Sequence, residues 1–252
     1  MSVLNLGIIG GGQLGSMLSS AAKRLNIKTI VYSDDNFSPA QNFCDKFIFG
    51  SYGDKEKILE FVKEVDIITY EFENIPFETL NEINKFKSVL PKPSINRLIQ
   101  HRLAEKDFIN NINIRTTRYA SIEKKSDMET LKDFFPGILK TTTMGYDGKG
   151  QYPINNLNDF KKLNLNLTDG YILEKLVKLK KEISVIITRF GEQRYEVYDP
   201  IENVHEDQIL KYSKIPAEVN KNSKFTFSIG NNFLEDLNPV FSFFLRNSNS
   251  FF

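Results

Sequence analysis

The chain has 252 residues, with 33 Lys and Arg against 32 Asp and Glu, a net charge of +1, and 40% hydrophobic residues. That balance exerts no global pull toward nucleic acid or an anionic membrane, so any anion site must be local, and the length suits two or three small domains. A single cysteine, Cys44, excludes an intramolecular disulfide framework; with no signal sequence at Met1 and no run near the ~20 apolar residues of a membrane helix, the expectation is a soluble cytoplasmic protein without nucleic-acid or membrane partners.

Leu4–Ile9 reads as a buried parallel strand, followed directly by Gly10-Gly-Gly-Gln-Leu-Gly15 and an amphipathic helix to about Leu25. A strand, a glycine turn and a helix in this order can bring a helix N-terminus to a phosphate. Lys28–Tyr32 is a second strand, and Asp34 and Asp35 follow it roughly 20 residues beyond the last glycine, where a dinucleotide fold places its ribose-binding acid. A nicotinamide-dependent enzyme is therefore one reading of this stretch. The same glycines serve any tight strand-to-helix turn in a doubly wound sheet.

The alternation continues with a strand at Phe47–Phe49, a helix over Lys55–Lys63, a strand at Asp66–Thr69 and a helix from near Pro76, which argues for a parallel sheet. Glu71 and Glu73 fall just past the strand around Ile67, at a carboxyl edge where open α/β sheets bind ligands; the bland alternative is the two alternating faces of a strand end. Pro91 and Pro93 mark a boundary, and Ser94 is a candidate cap for the next helix. Arg102 and Lys106 lie four residues apart on one helical face, suited either to solvent or to a phosphate chain lying across them.

Lys140 then leaves a short apolar run and enters Thr141–Gln151, in which Gly145, Gly148 and Gly150 are glycines that let backbone N–H groups approach an anion. Tyr146 and Asp147 can hold or deprotonate a substrate and Lys149 can meet negative charge. A Gly-rich hairpin turn is the plain alternative. Beyond it, Tyr171–Glu174 and Glu182–Thr188 read as strands, the second opened by a carboxylate that sits either at an exposed end or against the hydroxyls of a ribose. Gln193–Tyr198 and Ile209–Tyr212 read as further antiparallel strands, with His205, one of two histidines, between them.

Taken together, GIIGGGQLG (7–15), SPA (38–40), TYEFENIP (69–76), HRLAEK (101–106), LKTTTMGYDGKGQ (139–151), ILEKLV (172–177), EISV (182–185) and PIENVHEDQIL (200–210) resemble, in order, the ATP-grasp enzymes of purine biosynthesis, in particular the 5-(carboxyamino)imidazole ribonucleotide synthases. The resemblance covers about Leu4 to Ala217. It implies an α/β chain with a doubly wound parallel sheet before the ATP-grasp domain at 1–92, an ATP-grasp small subdomain at 93–165 and a partial large subdomain with a divergent tail at 166–252. It implies ATP and Mg²⁺ as cofactors, aminoimidazole ribonucleotide and bicarbonate as the other small-molecule partners, and leaves room for a homodimer.

By the same resemblance, Arg102 and Lys140 contact ATP phosphates, and Gly145, Tyr146, Asp147, Gly148, Lys149, Gly150 and Gln151 form a flap over them. Glu174, Lys175, Leu176 and Val177 are the adenine hinge, Glu182 the ribose acid, and His205 a further nucleotide-side residue. Gly12, Gln13, Leu14, Glu73 and Tyr146 meet the ribonucleotide, with Asp147 and Lys149 catalytic and Asp147 taking the amine's proton. Bicarbonate would attack the terminal phosphate to give carboxyphosphate, whose carboxyl group passes to the exocyclic amine.

The resemblance stops after Ala217. The family's metal-binding acids have no counterpart in the Phe-rich tail, so no metal ligand is assigned, and the sequence reads as a C-terminally truncated member whose phosphoryl transfer is expected to fall by orders of magnitude. Thr142 and Met144 stand where the family more often has a basic residue and a glycine. The alternatives are a non-catalytic nucleotide-binding remnant and an NAD-dependent enzyme.

Overall fold

The computed structural model describes residues 3–143, 150–190, 194–206, 209–218 and 241–244. The described residues divide into two units between Ile99 and Gln100.

In the first unit, β1 (Asn5–Ile9), β2 (Lys28–Ser33), β3 (Lys46–Phe49), β4 (Ile67–Tyr70) and β5 (Val89–Leu90) form one parallel sheet in the order β3-β2-β1-β4-β5. The crossovers carry α1 (Gln13–Arg24), α2 (Lys55–Glu64) and α3 (Phe77–Ile83), and α4 (Pro93–Ile99) follows the sheet. Both faces are covered, which is why β2 is buried nearly throughout rather than on alternate residues. Ile9, Ile30, Tyr32 and Ile68 pack with Phe61, Val62, Leu80 and Ile83 from α2 and α3. Ile8 and Val31 face the other way, toward Ala40, Leu18 and Phe47. The doubly wound sheet expected from the sequence is present. Asp54 caps α2 by accepting from the Lys57 N–H at 3.1 Å. Ser94, the candidate cap of the next helix, instead lies inside α4, because the helix starts one residue earlier on Pro93, whose fixed φ and missing N–H suit a first helical position.

The second unit opens with α5 (Arg102–Asn111), capped by His101, whose Nδ1 accepts from the Ala104 N–H at 3.3 Å. An antiparallel sheet follows, β6 (Tyr119–Ile122), β7 (Gly137–Thr141), β8 (Gln151–Ile154) and β9 (Tyr171–Lys175), in the order β6-β9-β7-β8, with α6 (Asp127–Thr130) and α7 (Leu157–Lys161) between strands. This sheet runs across residues 165 and 166, because β9 is one of its two inner strands.

Directly opposed residues of an antiparallel pair share a face, so the register sorts the side chains. Ile122, Leu139, Ile154, Tyr171 and Leu173 make one face and build the core with Met128, Phe134 and Phe160. Tyr119, Ile138, Lys140, Gln151, Ile172 and Glu174 make the other.

Downstream, the expected single strand over 182–188 is two: β10 (Glu182–Ser184) pairs with β13 (Ile201–Glu206), and β11 (Ile186–Arg189) pairs with β12 (Tyr195–Val197) and β15 (Phe241–Phe244). The switch of partners falls at buried Val185, and an unbroken apolar run conceals it. The stretch 201–206, read as a connection, is itself a strand between β10 and β14 (Ile209–Lys214). No helix among the described residues is long and apolar enough to cross a membrane.

Candidate nucleotide site

Lys140 and Glu174 are diagonal neighbours on the polar face of the β7/β9 pair, since Lys140 opposes Ile172 and Ile138 opposes Glu174. Lys140 Nζ donates to Glu174 Oε2 at 2.8 Å, with the lysine 1% and the glutamate 3% exposed. The second carboxylate oxygen, Oε1, lies 3.3 Å from Nζ of Lys106, which reaches in from α5 and is also buried. Lys106 Nζ stands 5.6 Å from the centre of the Tyr119 ring. Burial pushes the Lys106 ammonium below the usual lysine range, opposed by the attraction of Glu174 and reinforced by the positive charge of Lys140. Two cations against one carboxylate leave a buried cluster with one positive charge in excess. An arrangement of that kind favours an anion beside it.

The surroundings hold the cluster rigidly. The Arg102 N–H donates to Thr142 O at 2.8 Å and its Nε to Thr141 O at 3.0 Å, tying the start of α5 to the end of β7. Gln151 opposes Lys140 across β7/β8, so it joins the same face. Gly150 has φ +68°, and a Cβ there would lie 2.5 Å from Thr141 Oγ1, so the chain can re-enter β8 only through a glycine.

Sequence reading placed Lys106 on a face suited to solvent or to direct phosphate contact. The structure corrects the first: its ammonium is sealed from water and directed at Glu174. The cue in the sequence, a cation four residues after Arg102, carries no information about the acid it meets across 68 residues of chain.

Within the segment read as a hinge, the N–H groups of Lys175 and Leu176 donate to Arg118 O and Pro136 O at 2.8 and 3.0 Å, and Lys175 Nζ donates to the carbonyls of Asp133 and Phe135 at 3.0 and 2.7 Å. The Glu174 side chain is occupied by the two lysines, while Leu176 is exposed and Val177 half-buried. Glu182 and His205 are brought together by the β10/β13 register, with His205 Nδ1 3.1 Å from Glu182 Oε2. Asn203, directly opposite Glu182 on β13, is engaged with Ser184 and Ser213. Gly145, Tyr146, Asp147, Gly148 and Lys149 lie outside the described residues.

In the first unit, the glycine turn is packed against side chains. Gly10 has φ +102°, and Cβ atoms at Gly10 and Gly11 would fall 2.8 Å from Glu71 Oε1 and 2.5 Å from Ser38 Oγ. The Gly12 N–H, at the head of α1, donates to Glu71 Oε1 at 2.8 Å. A carboxylate therefore sits where a dinucleotide fold would receive pyrophosphate. Burial raises the Glu71 pKa, and the Gly12 hydrogen bond works against that rise. Of the two acids at this edge, Glu71 meets the turn; Gln13, Leu14 and Glu73 are exposed.

Among the described residues no three His, Cys, Asp or Glu side chains come together as a metal site. The described residues therefore offer no all-protein ligand set for a resident magnesium ion.

The family model described as the Ribonucleotide synthetase preATP-grasp domain matches residues 3–100, and that described as the ATP-grasp domain matches residues 107–239. The chain belongs to the ATP-grasp family. Its curated relatives include N5-carboxyaminoimidazole ribonucleotide synthase from Brucella melitensis, 36% identical over 223 residues, covering 85% of this chain and 60% of that one. Another is the protein of the same name from Staphylococcus aureus, 33% identical and covering 87% and 59%. The chain thus spans about 60% of the length of these relatives. Among solved structures, the S. aureus N5-carboxyaminoimidazole synthetase complexed with ADP aligns over 100% of this ATP-grasp chain and 69% of its own, with a TM-score of 0.86 and 28% identity. The Aspergillus clavatus carboxyaminoimidazole ribonucleotide synthase complexed with ATP aligns over 86% and 58%, with a TM-score of 0.76 and 28% identity.

Proposed function

We propose that this chain carries the adenine-nucleotide site of an N5-carboxyaminoimidazole ribonucleotide synthase, which uses ATP and bicarbonate to carboxylate 5-aminoimidazole ribonucleotide. The observation that carries the reading is the buried Lys140–Glu174–Lys106 cluster, whose excess positive charge lies on the sheet face that also bears Gln151. Bicarbonate oxygen attacks the terminal phosphorus of ATP, breaking its bond to the ADP oxygen and forming carboxyphosphate. The exocyclic amine then attacks the carboxyl carbon, phosphate leaves, and the amine gives up a proton.

Lys140 is assigned to the triphosphate, where it meets charge developing on the transferred group, with Arg102 as the second phosphate contact. Glu182 accepts the ribose hydroxyls, with His205 beside it orienting the carboxylate. An adenine edge would be read by the far end of the 174–177 segment and by Val177, given that the Lys175 and Leu176 N–H groups are committed and the Lys175 carbonyl accepts from Thr117 Oγ1 at 2.8 Å. Asp147 is assigned the amine's proton and Lys149, with Tyr146, the substrate side of the flap, Gly145–Gln151. Gly12, Gln13, Leu14 and Glu73 are assigned to the ribonucleotide, whose phosphate would meet the Gln13 and Leu14 N–H groups, as Gly12 is engaged by Glu71. Cytoplasmic residence and assembly as a homodimer belong to the same proposal.

Calorimetric titration of the purified chain with ADP and with NAD, followed by measurement of ADP released from ATP, tests this reading. Saturable ADP binding, lost in Lys140→Met, is expected, with ADP release from ATP, bicarbonate and aminoimidazole ribonucleotide orders of magnitude below that of a full-length relative. Preference for NAD, or ADP binding indifferent to Lys140→Met, would overturn it.

A further inference from the structure

Glu174 presents an electrostatic problem for a phosphate-binding lysine. Its carboxylate touches Lys140 Nζ at 2.8 Å, and taken as an isolated pair the two would be neutral, leaving little attraction for a polyphosphate. The carboxylate also fixes the lysine's position: a four-carbon side chain with roughly 2 kcal/mol of rotamer entropy is held in one conformer by a partner on the neighbouring strand. Positioning and charge therefore conflict. Lys106 resolves the conflict, because it occupies the other carboxylate oxygen at 3.3 Å from a side that solvent does not reach.

Lys106 is engaged from the α5 side by Glu174 and the Tyr119 ring, so its part in this cluster is played through Glu174. α5 is fastened where it must be for this role. Its first residue is tied to the end of β7 through Arg102, and its later residues Asp107 and Asn110 hold the Tyr119 hydroxyl at 2.7 and 3.4 Å. The helix is thus anchored at both ends of the ion cluster.

We propose that Lys106 is a positioning residue that acts through Glu174: it offsets the carboxylate's charge so that Lys140 is at once held in place and left with its positive charge available to a nucleoside polyphosphate. This rests on the assignment of Lys140 to the phosphates. The cluster works as a unit, with Glu174 as the brace and Lys106 as the counter-charge.

The test is ADP affinity by calorimetry on the full chain, with far-UV circular dichroism to establish folding. Lys106→Met is expected to weaken ADP binding by about tenfold or more, the size of one charge-assisted contact, because Glu174 then neutralises Lys140. Lys106→Arg, which keeps the charge, is expected to bind within about threefold of the native chain. The deciding variant is Lys106→Met with Glu174→Gln, which removes one charge of each sign and restores the excess, so it recovers most of the affinity lost in Lys106→Met. A purely packing role predicts the reverse, a double variant as weak as or weaker than the single one. That result, or unchanged ADP affinity in folded Lys106→Met, overturns the inference while Lys140→Met still abolishes binding. Should Lys106→Met fail to fold, the double variant and Lys106→Arg decide alone: a loss beyond tenfold in the double variant refutes the charge argument. If the native chain does not bind ADP, the site assignment fails first and takes this inference with it.

Discussion

Replacing Glu174 by Gln removes the carboxylate that separates two buried ammonium groups while keeping the side chain's shape. At the observed 2.8 and 3.3 Å, each ion pair is worth roughly 5 to 6 kcal/mol of Coulomb energy at an effective dielectric constant near 20. Desolvation offsets most of that, at several kcal/mol per ion, so the intact cluster is close to neutral for stability. Removing the carboxylate leaves the desolvation cost standing with the attraction gone, and the expected loss is about 3–5 kcal/mol. With a urea dependence of about 2 kcal/mol per molar, the unfolding midpoint of the second unit falls by roughly 1.5–2.5 M. Far-UV circular dichroism can follow this transition, tyrosine circular dichroism adds a second probe in a chain without tryptophan, and Phe61→Ala serves as a reference lesion in the first unit. Replacing both lysines by Met together with Glu174→Gln should return much of the lost stability, because no buried charge remains. A Glu174→Gln midpoint within about 0.3 M of the native chain would refute the argument, since at the urea dependence above it places the cost under about 1 kcal/mol.

Three further outcomes follow from the first unit. Phe61, fully buried against Gly7 and the Tyr32 ring at 5.6 Å, should cost about 3–5 kcal/mol when replaced by Ala, read as a urea midpoint. Gly11→Ala forces a methyl group to within 2.6 Å of Ser38 Cβ and 3.0 Å of Ser33 Cβ, and the turn should lose about 1–3 kcal/mol, with the thermal midpoint as the check. Glu71 has a pKa raised above its ordinary 4.5, mainly by burial. The folded state therefore holds more protons than the unfolded one between the two values, and this residue's contribution to stability declines as pH rises through that window. Glu71→Gln keeps an acceptor for the Gly12 N–H and should flatten that decline; an unchanged pH dependence would contradict the assignment.

The parallel sheet was legible because its information is local and periodic. Apolar runs, glycine turns and amphipathic helices follow one another in the first 90 residues, and the first four strands lie where their own composition places them, while β5, two residues long, was read only as the close of the unit. The family, too, was readable from separated short motifs in order. Lys140 and Glu174 were both singled out, one as a phosphate contact and the other as part of a hinge, yet nothing in either motif says that they touch.

That contact comes from register. Lys140 and Glu174 become neighbours because β7 and β9 pair with Ile138 opposite Glu174, and Lys106 completes the cluster only when α5 lies on that face. The sequence by itself determined the alternating elements of the first unit, the glycine turn and the positions of the candidate cations, since each depends on residues within a few positions of one another. Only the tertiary structure decided that Lys106, read as facing solvent or a phosphate chain, is buried beside Glu174, that Glu71 meets the glycine turn, and that the run 182–188 is two strands with different partners. Those facts depend on the pairing of segments far apart in the chain, where burial converts an ordinary charge into one that must be matched.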